Sequence, residues 1–108
     1  MKVPNFVFAA VAIGVVTPAS ADGGIPLTLK DHKFTPSEIH VKANVPNVIT
    51  MTNQDATAEE FDSPSLKVEK VVVGNSSGDV RLRPLAPGRY PFTGEFHAAT
   101  AHGVVIAE

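Results

Sequence analysis

Short runs of alternating apolar and polar residues, separated by proline, glycine and asparagine turns, restrict most of this chain to an all-β fold. Ile25, Leu27 and Leu29 alternate with polar residues, and Ile39 and Val41 do the same. This period of two is typical of strands that bury one face. Further strands are predicted over residues 48–53, 66–73, 80–85, 90–92 and 103–107, with a loop over 74–79. About seven to eight short strands at regular spacing, with no capped helical repeat between them, indicate a Greek-key β-sandwich.

The first 21 residues have the pattern of an export signal. Lys2 supplies a positive start, residues 6–16 are almost wholly apolar, and Ala19-Ser20-Ala21 is a typical cleavage site. The apolar run is shorter than the ~20 residues that span a bilayer, so a membrane anchor is the weaker interpretation. We therefore expect cleavage after Ala21, a periplasmic location, and a single domain over residues 22–108.

Composition excludes several kinds of protein. The chain contains no cysteine and has a formal net charge of -2. No disulfide can reinforce the small core, although the expected compartment would permit one. The charge balance also provides no basic surface for nucleic acid or for an anionic membrane. Met51 lies in a predicted strand and is expected to pack in the core.

Motifs along the whole predicted domain resemble the cupredoxin fold. In chain order they are Phe34-Thr-Pro36, Ile39-x-Val41, Asn53-x-Asp55, Phe61, Leu82-x-Pro84-Leu85-x-Pro87-Gly88-x-Tyr90-x-Phe92, and then His97 and Gly103. More narrowly, the chain is similar to EfeO-type cupredoxin-like domains and to the periplasmic cupredoxin component of bacterial high-affinity ferrous iron uptake. That resemblance implies an iron permease or another periplasmic iron-uptake protein as the partner.

The resemblance also implies where a copper ion would be bound, and most of those ligands have been replaced. In the cupredoxin fold a histidine follows the Asn-x-Asp turn, and a cysteine, a histidine and usually a methionine lie in the last loop. Here Glu59, Gly94 and Ala101 stand at three of these positions, and only His97 matches. A type 1 copper centre is excluded because it requires a copper–thiolate bond and the chain has no cysteine.

Oxygen and imidazole donors near the lost ligands suggest a rebuilt metal site. The resemblance brings three segments to one end of the sandwich, and from them we predict a metal site formed by Glu60, Glu69, Glu95 and His97. Glu95 and His97 would project to the same side if the chain is extended there. Carboxylates with one imidazole suit Fe(II), Fe(III), Mn(II) or Zn(II) better than Cu(I). The resemblance to iron-uptake cupredoxins implies iron, as Fe(II) or Fe(III), among these. The sequence leaves open whether Glu59, Asp62 or His102 joins this group.

Two simpler interpretations compete with the rebuilt site. Carboxylates that alternate with lysines on a strand are usually a solvated face. A lone histidine such as His97 is more often a hydrogen-bonded structural residue than a ligand. His32 and His40 are expected to be surface residues of early strands. Carboxylates that do converge repel one another, so without a cation at least one should have a raised pKa or a lysine partner such as Lys70. This expectation separates a converging cluster from scattered surface charges.

Three classes of function follow from the sequence. The first is a periplasmic iron-binding accessory of a high-affinity permease, which could assist Fe(II) oxidation. The second is a metal-free β-sandwich that binds another protein. The third, an autonomous ferroxidase, is the weakest because the chain has no cysteine or tryptophan and no evident second metal site to relay an electron.

Overall fold

The computed structural model describes residues 23–108, and the predicted signal sequence lies outside this range. Within the range the chain forms nine strands and one short 3-10 helix over Glu95–His97. The strands are β1 (Ile25–Lys30), β2 (Lys33–Thr35), β3 (Glu38–Val41), β4 (Asn47–Asn53), β5 (Glu59–Ser63), β6 (Val68–Val72), β7 (Ser76–Leu82), β8 (Gly88–Gly94) and β9 (His102–Ala107).

The strands form two sheets, which confirms the predicted all-β fold. One sheet has the order β3-β9-β8-β5-β6, and the other has the order β2-β1-β4-β7. β9 pairs in parallel with β3, and β1 pairs in parallel with β4, whereas the other pairs are antiparallel. The 3-10 helix follows β8 directly, so it lies at the end of the first sheet beside β5.

The strand count exceeds the prediction because two short strands carry weak sequence signals. β2 has only three residues, and β5 reads Glu-Glu-Phe-Asp-Ser, in which a single large apolar residue alternates with charges. β7 also begins at Ser76, inside the segment predicted as a loop, because Ser76 pairs with Asn53 of β4. Backbone pairing with a neighbouring strand therefore outweighs local polarity at these positions.

The core lies between the sheets and is built around three aromatic rings. The rings of Phe61 and Phe92 stack with centroids 4.7 Å apart, and Phe34 meets Phe92 edge-on at 5.2 Å. Met51 is fully buried among them, as predicted. Aromatic packing of this kind stabilises a core beyond simple area burial. Phe61 also anchors β5, so residues two positions away from it share its inward face.

Candidate functional site

Four residues meet at one end of the sandwich, where β5, β8 and the 3-10 helix come together. Glu59 begins β5, Gly94 ends β8, His97 ends the helix, and Ala101 precedes β9. The Gly94 amide donates to the Ala101 carbonyl at 2.7 Å, and the Ala101 amide donates to the His97 carbonyl at 2.9 Å. These bonds fold residues 94–101 into a tight turn over Glu59, which is fully buried.

The Glu59 carboxylate is held by three nitrogen atoms. Its Oε1 accepts hydrogen bonds from the backbone amides of Glu60 at 3.0 Å and Phe96 at 2.8 Å. Its Oε2 lies 2.6 Å from Nδ1 of His97. An ionised carboxylate can only accept, and Nδ1 of His97 is then the donor in this contact. Both oxygens of the buried carboxylate therefore have hydrogen-bond partners.

The Glu59 carboxylate fills the space that a side chain at position 94 would need. A Cβ added to Gly94 would lie 2.7 Å from Cδ of Glu59 and 2.8 Å from Cβ of Ala101. Both distances are well inside van der Waals contact, so only glycine fits. The three positions that the resemblance marks as lost copper ligands thus converge, and the carboxylate of one occupies the space between the others. We call this arrangement the closed pocket: Glu59, Gly94, His97 and Ala101.

A second histidine packs on the closed pocket. The ring of His32 stacks on that of His97 with centroids 3.5 Å apart and planes 11° apart. Asp31 and His32 form the left-handed turn between β1 and β2, and the Asp55 carboxylate accepts both of their backbone amides at 2.7 and 2.9 Å. The hydrogen bond from the His32 amide is the largest cause of the lowered pKa of Asp55. His32 was expected to be a surface residue of an early strand, but it is half-buried and lies in a turn tied to this end of the sandwich.

Four carboxylates lie outside the closed pocket and define an acidic face: Glu60, Asp62, Glu69 and Glu95. Asp62 lies directly opposite Glu69 in the β5–β6 pair. The pKa of Glu60 is raised, first by partial loss of hydration and then by repulsion from Glu69, Asp62 and Glu95. A raised pKa is the direction expected where carboxylates lie close together, but loss of hydration is its largest cause here. Glu60 and Asp62 share the outer face of β5, while Phe61 between them is buried.

The predicted metal-site residues fall into two groups. Glu60, Glu69 and Glu95 lie on the acidic face, whereas His97 contacts Glu59 in the closed pocket. Glu95 and His97 do not project to the same side, because the chain there is a 3-10 helix rather than a strand and its residues turn by about 120° each. Within residues 23–108, no three histidine, aspartate or glutamate side chains are arranged so that they could hold a metal ion.

Three other candidates lie away from the acidic face. Lys70 does not neutralise it: this side chain lies on the opposite side of β6, with Cε 3.3 Å from the position of a Cβ on Gly78. His102 is exposed at the start of β9. His40 is an exposed residue as predicted, and hydrogen bonds to Glu108 and then Glu38 raise its pKa.

A signal for Glu59 was present in the sequence. Phe61 is the only large apolar residue of Glu-Glu-Phe-Asp-Ser, which favours its burial, and residues two apart on a strand share a face, so Glu59 points inward with it. The predicted metal site instead combined Glu60 with His97. In the structure Glu60 faces outward from β5, whereas His97 contacts the buried Glu59. No comparable signal marks His32, whose contact with His97 depends on a turn 65 residues earlier in the chain.

Comparisons with known proteins support the fold. The family described as Cupredoxin-like domain matches residues 5–107. A Rickettsia prowazekii (strain Madrid E) protein, Uncharacterized protein RP394, is 40% identical over 82 residues, which cover 76% of this chain. The same alignment spans 66% of that protein, just under two thirds of its length.

Two solved structures illustrate the likeness at the level of the fold. An amicyanin variant in the reduced state has a TM-score of 0.63 and 24% identity, covering 81% of this chain and 84% of that one. The metal binding domain of the Streptococcus pneumoniae Cu(I) exporting P-type ATPase CopA, with Cu(I), has a TM-score of 0.66 and 15% identity, covering 79% and 84%. No helix within residues 23–108 is long and apolar enough to cross a membrane. Together, the two-sheet architecture and the match across nearly the whole sequence show that the chain belongs to the Cupredoxin-like domain family.

Proposed function

We propose that this protein is a periplasmic accessory of bacterial iron uptake that binds iron as cargo at its acidic face. The observation that carries the proposal is the placement of Asp62 directly opposite Glu69 on neighbouring strands. The pKa of Glu60 beside them is raised, first by loss of hydration and then by repulsion from Glu69, Asp62 and Glu95. A cation bound between these carboxylates relieves their mutual repulsion, and this relief favours cation binding. The closed pocket then has a structural role.

The carboxylates of the acidic face form no ion pair within the described range, although Lys67 lines the same groove as Asp62 and Glu69. Among residues 23–108, no lysine or arginine nitrogen lies within 4.0 Å of a carboxylate oxygen of Glu60, Asp62, Glu69 or Glu95. Surface carboxylates of this kind are usually paired or dispersed, because like charges directly opposite on neighbouring strands destabilise a sheet. The Asp62–Glu69 pair therefore makes this face the strongest attractor for cations that we identify on the described surface.

The chemistry of the face suits a transient iron site. Carboxylate oxygens are hard donors, which favour Fe(II) and Fe(III) over Cu(I). Glu69 and Glu95 are exposed, so their side chains can turn toward a cation and away again without disturbing the core. Such a site would load and release iron readily, as delivery to a permease or to another periplasmic iron-uptake protein requires. The resemblance to iron-uptake cupredoxins supports this assignment of cargo and partner.

Calorimetry and thermal melting under anaerobic conditions test the proposal directly. We expect Fe(II) and Mn(II) to give measurable heats and to raise the melting temperature near neutral pH, because a ligand that binds only the folded state stabilises it. The double substitution Glu60→Gln and Glu69→Gln should weaken binding by about tenfold or more, since each lost ionic contact contributes on the order of 1 kcal/mol.

The matched control removes two carboxylates elsewhere. Glu38→Gln with Glu108→Gln changes the net charge equally but affects only the cluster around His40. That control should bind iron like the wild type. An absence of heat and of any melting shift in the wild type would refute the iron proposal, and equal losses in both double variants would show only non-specific attraction.

Oxygen consumption distinguishes carriage from oxidation. We expect oxygen uptake after Fe(II) addition to stay close to that of free Fe(II), because the closed pocket presents no redox centre. If the wild type instead consumes oxygen faster than free Fe(II) does, and Glu95→Ala and His97→Ala each lower that rate, the protein takes part in Fe(II) oxidation.

A metal-free module that binds another protein is the second candidate. Two observations favour it: Glu59 fills the closed pocket, and Phe96 beside it is 52% exposed although it is large and apolar. Under this alternative, Fe(II) and Mn(II) leave the melting temperature unchanged, while Phe96→Ala abolishes binding to the partner protein. The metal titrations above therefore separate the two candidates.

A further inference from the structure

We propose that a groove between β2 and β9 binds a small organic carboxylate, independently of iron at the acidic face. The groove has a volume of about 440 Å³ and lies on a different part of the surface from the acidic face. The polar residues Lys33, Ser37, Thr100 and His102 line it together with the apolar residues Phe34 and Val104. We call it the β2–β9 groove.

The charge at this groove is positive and unpaired. Lys33 lies directly opposite Lys30 in the β1–β2 pair, and like charges in that position repel. Among residues 23–108, no carboxylate oxygen lies within 4.0 Å of either lysine nitrogen. Of the nearest acidic residues, Asp31 is in the turn between them, and Asp55 is already bound to backbone amides. An anion that enters the groove relieves the Lys30–Lys33 repulsion.

Hydrogen-bond donors are available beside the lysine. The Ser37 hydroxyl and the His102 ring form no hydrogen bond with any residue of the described range. The Thr100 hydroxyl donates to the His32 carbonyl at 2.6 Å, which holds the opposite wall in place. Lys33, Ser37 and His102 all line the groove, so a carboxylate bound there has donors available, and the charged donor, Lys33, would make the strongest contact.

The floor of the groove is rigid and apolar. A Cβ on Gly103 would lie 2.6 Å from Cζ of Phe92 and 2.7 Å from the Ser37 carbonyl oxygen, so the backbone itself forms the floor. The Val104 amide donates to the same carbonyl at 2.9 Å, which fixes β9 against the start of β3. Phe34 and Val104 add apolar surface. A ligand with a hydrocarbon part beside its anionic group fits this lining better than phosphate does.

Titration monitored by amide NMR tests the proposal with defined probes. Acetate and succinate are added to the full-length mature protein without metal, at ionic strength matched with sodium chloride. We expect saturable shifts of the amides of Ser37, Thr100, Gly103 and Val104. Lys33→Gln should weaken the apparent affinity by about tenfold, because it removes the charged donor.

Lys42→Gln is the matched control because it removes the same charge from an exposed lysine outside the groove. It should leave the affinity unchanged. Inorganic phosphate is a further probe and should bind more weakly than succinate. The proposal is overturned if the shifts do not saturate, if phosphate binds more tightly, or if both lysine variants lose affinity equally. Loss of metal binding at the acidic face would not affect these results, so the two proposals fail separately.

Discussion

Glu59 shows how one buried side chain changes the use of an inherited site. Its carboxylate is completely buried, yet both oxygens have donors, from the amides of Glu60 and Phe96 and from His97. Removing one partner from such a network leaves the others without hydrogen bonds inside the protein. The carboxylate and the glycine at position 94 are also mutually dependent, because any larger residue there collides with it.

Substitutions at Glu59 should distinguish the hydrogen bonds from the filled volume. Glu59→Leu preserves an apolar body but leaves two amides and His97 unsatisfied, and we expect a loss of about 3 kcal/mol in the free energy of unfolding. Glu59→Gln retains an acceptor for both amides, and its loss should be about 1 kcal/mol. Urea unfolding at pH 7 measures both. If Glu59→Leu is as stable as the wild type, burial of the carboxylate gives no net stabilisation.

At the scale of the elements, the sequence predicts those strands that have clear alternation and misses those defined by pairing. β1, β3, β4 and β9 carry repeated apolar residues on one face, and they were predicted. β2 and the first half of β7 are polar and form only because β1 and β4 lie beside them. The candidate site shows the same difference between local and distant causes. The outward placement of Glu60 and Asp62 follows from the alternation of residues along β5, whereas the His32–His97 stack depends on contact between two distant turns.

The turn between β1 and β2 provides a pH-dependent test at this scale. The folded pKa of Asp55 is depressed, mainly by the amide of His32, so this carboxylate contributes stability above its unfolded pKa of about 3.8. That contribution is lost as the pH falls through the still lower folded value. Asp55→Asn should therefore be less stable than the wild type at pH 7, and the difference should shrink below about pH 4.

Unfolding by urea at pH 7 and pH 3 measures this difference. Asp31→Asn is the control, because it removes a charge from the same turn and keeps the Asp31 amide that donates to Asp55. An asparagine also tolerates the left-handed conformation found at that position. A stability difference for Asp55→Asn that is constant between the two pH values would contradict the assigned role.

At the scale of the whole molecule, charge is divided between two regions of one sandwich. Carboxylates crowd on the outer side of β5 and β6, while Lys30 and Lys33 face each other on the β1–β2 pair. Neither group is neutralised from within residues 23–108, although the net charge of the full sequence is only -2. The acidic face can therefore attract cations while the lysine pair attracts anions. Neither interaction involves the closed pocket at the end of the first sheet.

The geometry at this end of the sandwich can be tested by introducing the copper ligands that the resemblance implies. In the triple variant Glu59→His, Gly94→Cys and Ala101→Met, a cysteine, two histidines and a methionine would meet where the Glu59 carboxylate now lies, and this donor set forms blue copper centres. We expect the folded variant with Cu(II) to show the intense visible absorption of a copper–thiolate bond. Gly94→Cys alone should be destabilised and colourless, because its Cβ would collide with Glu59 and Ala101. A folded triple variant without that absorption would show that the turn over residues 94–101, drawn together by the Gly94–Ala101 hydrogen bond, is too narrow to hold the metal.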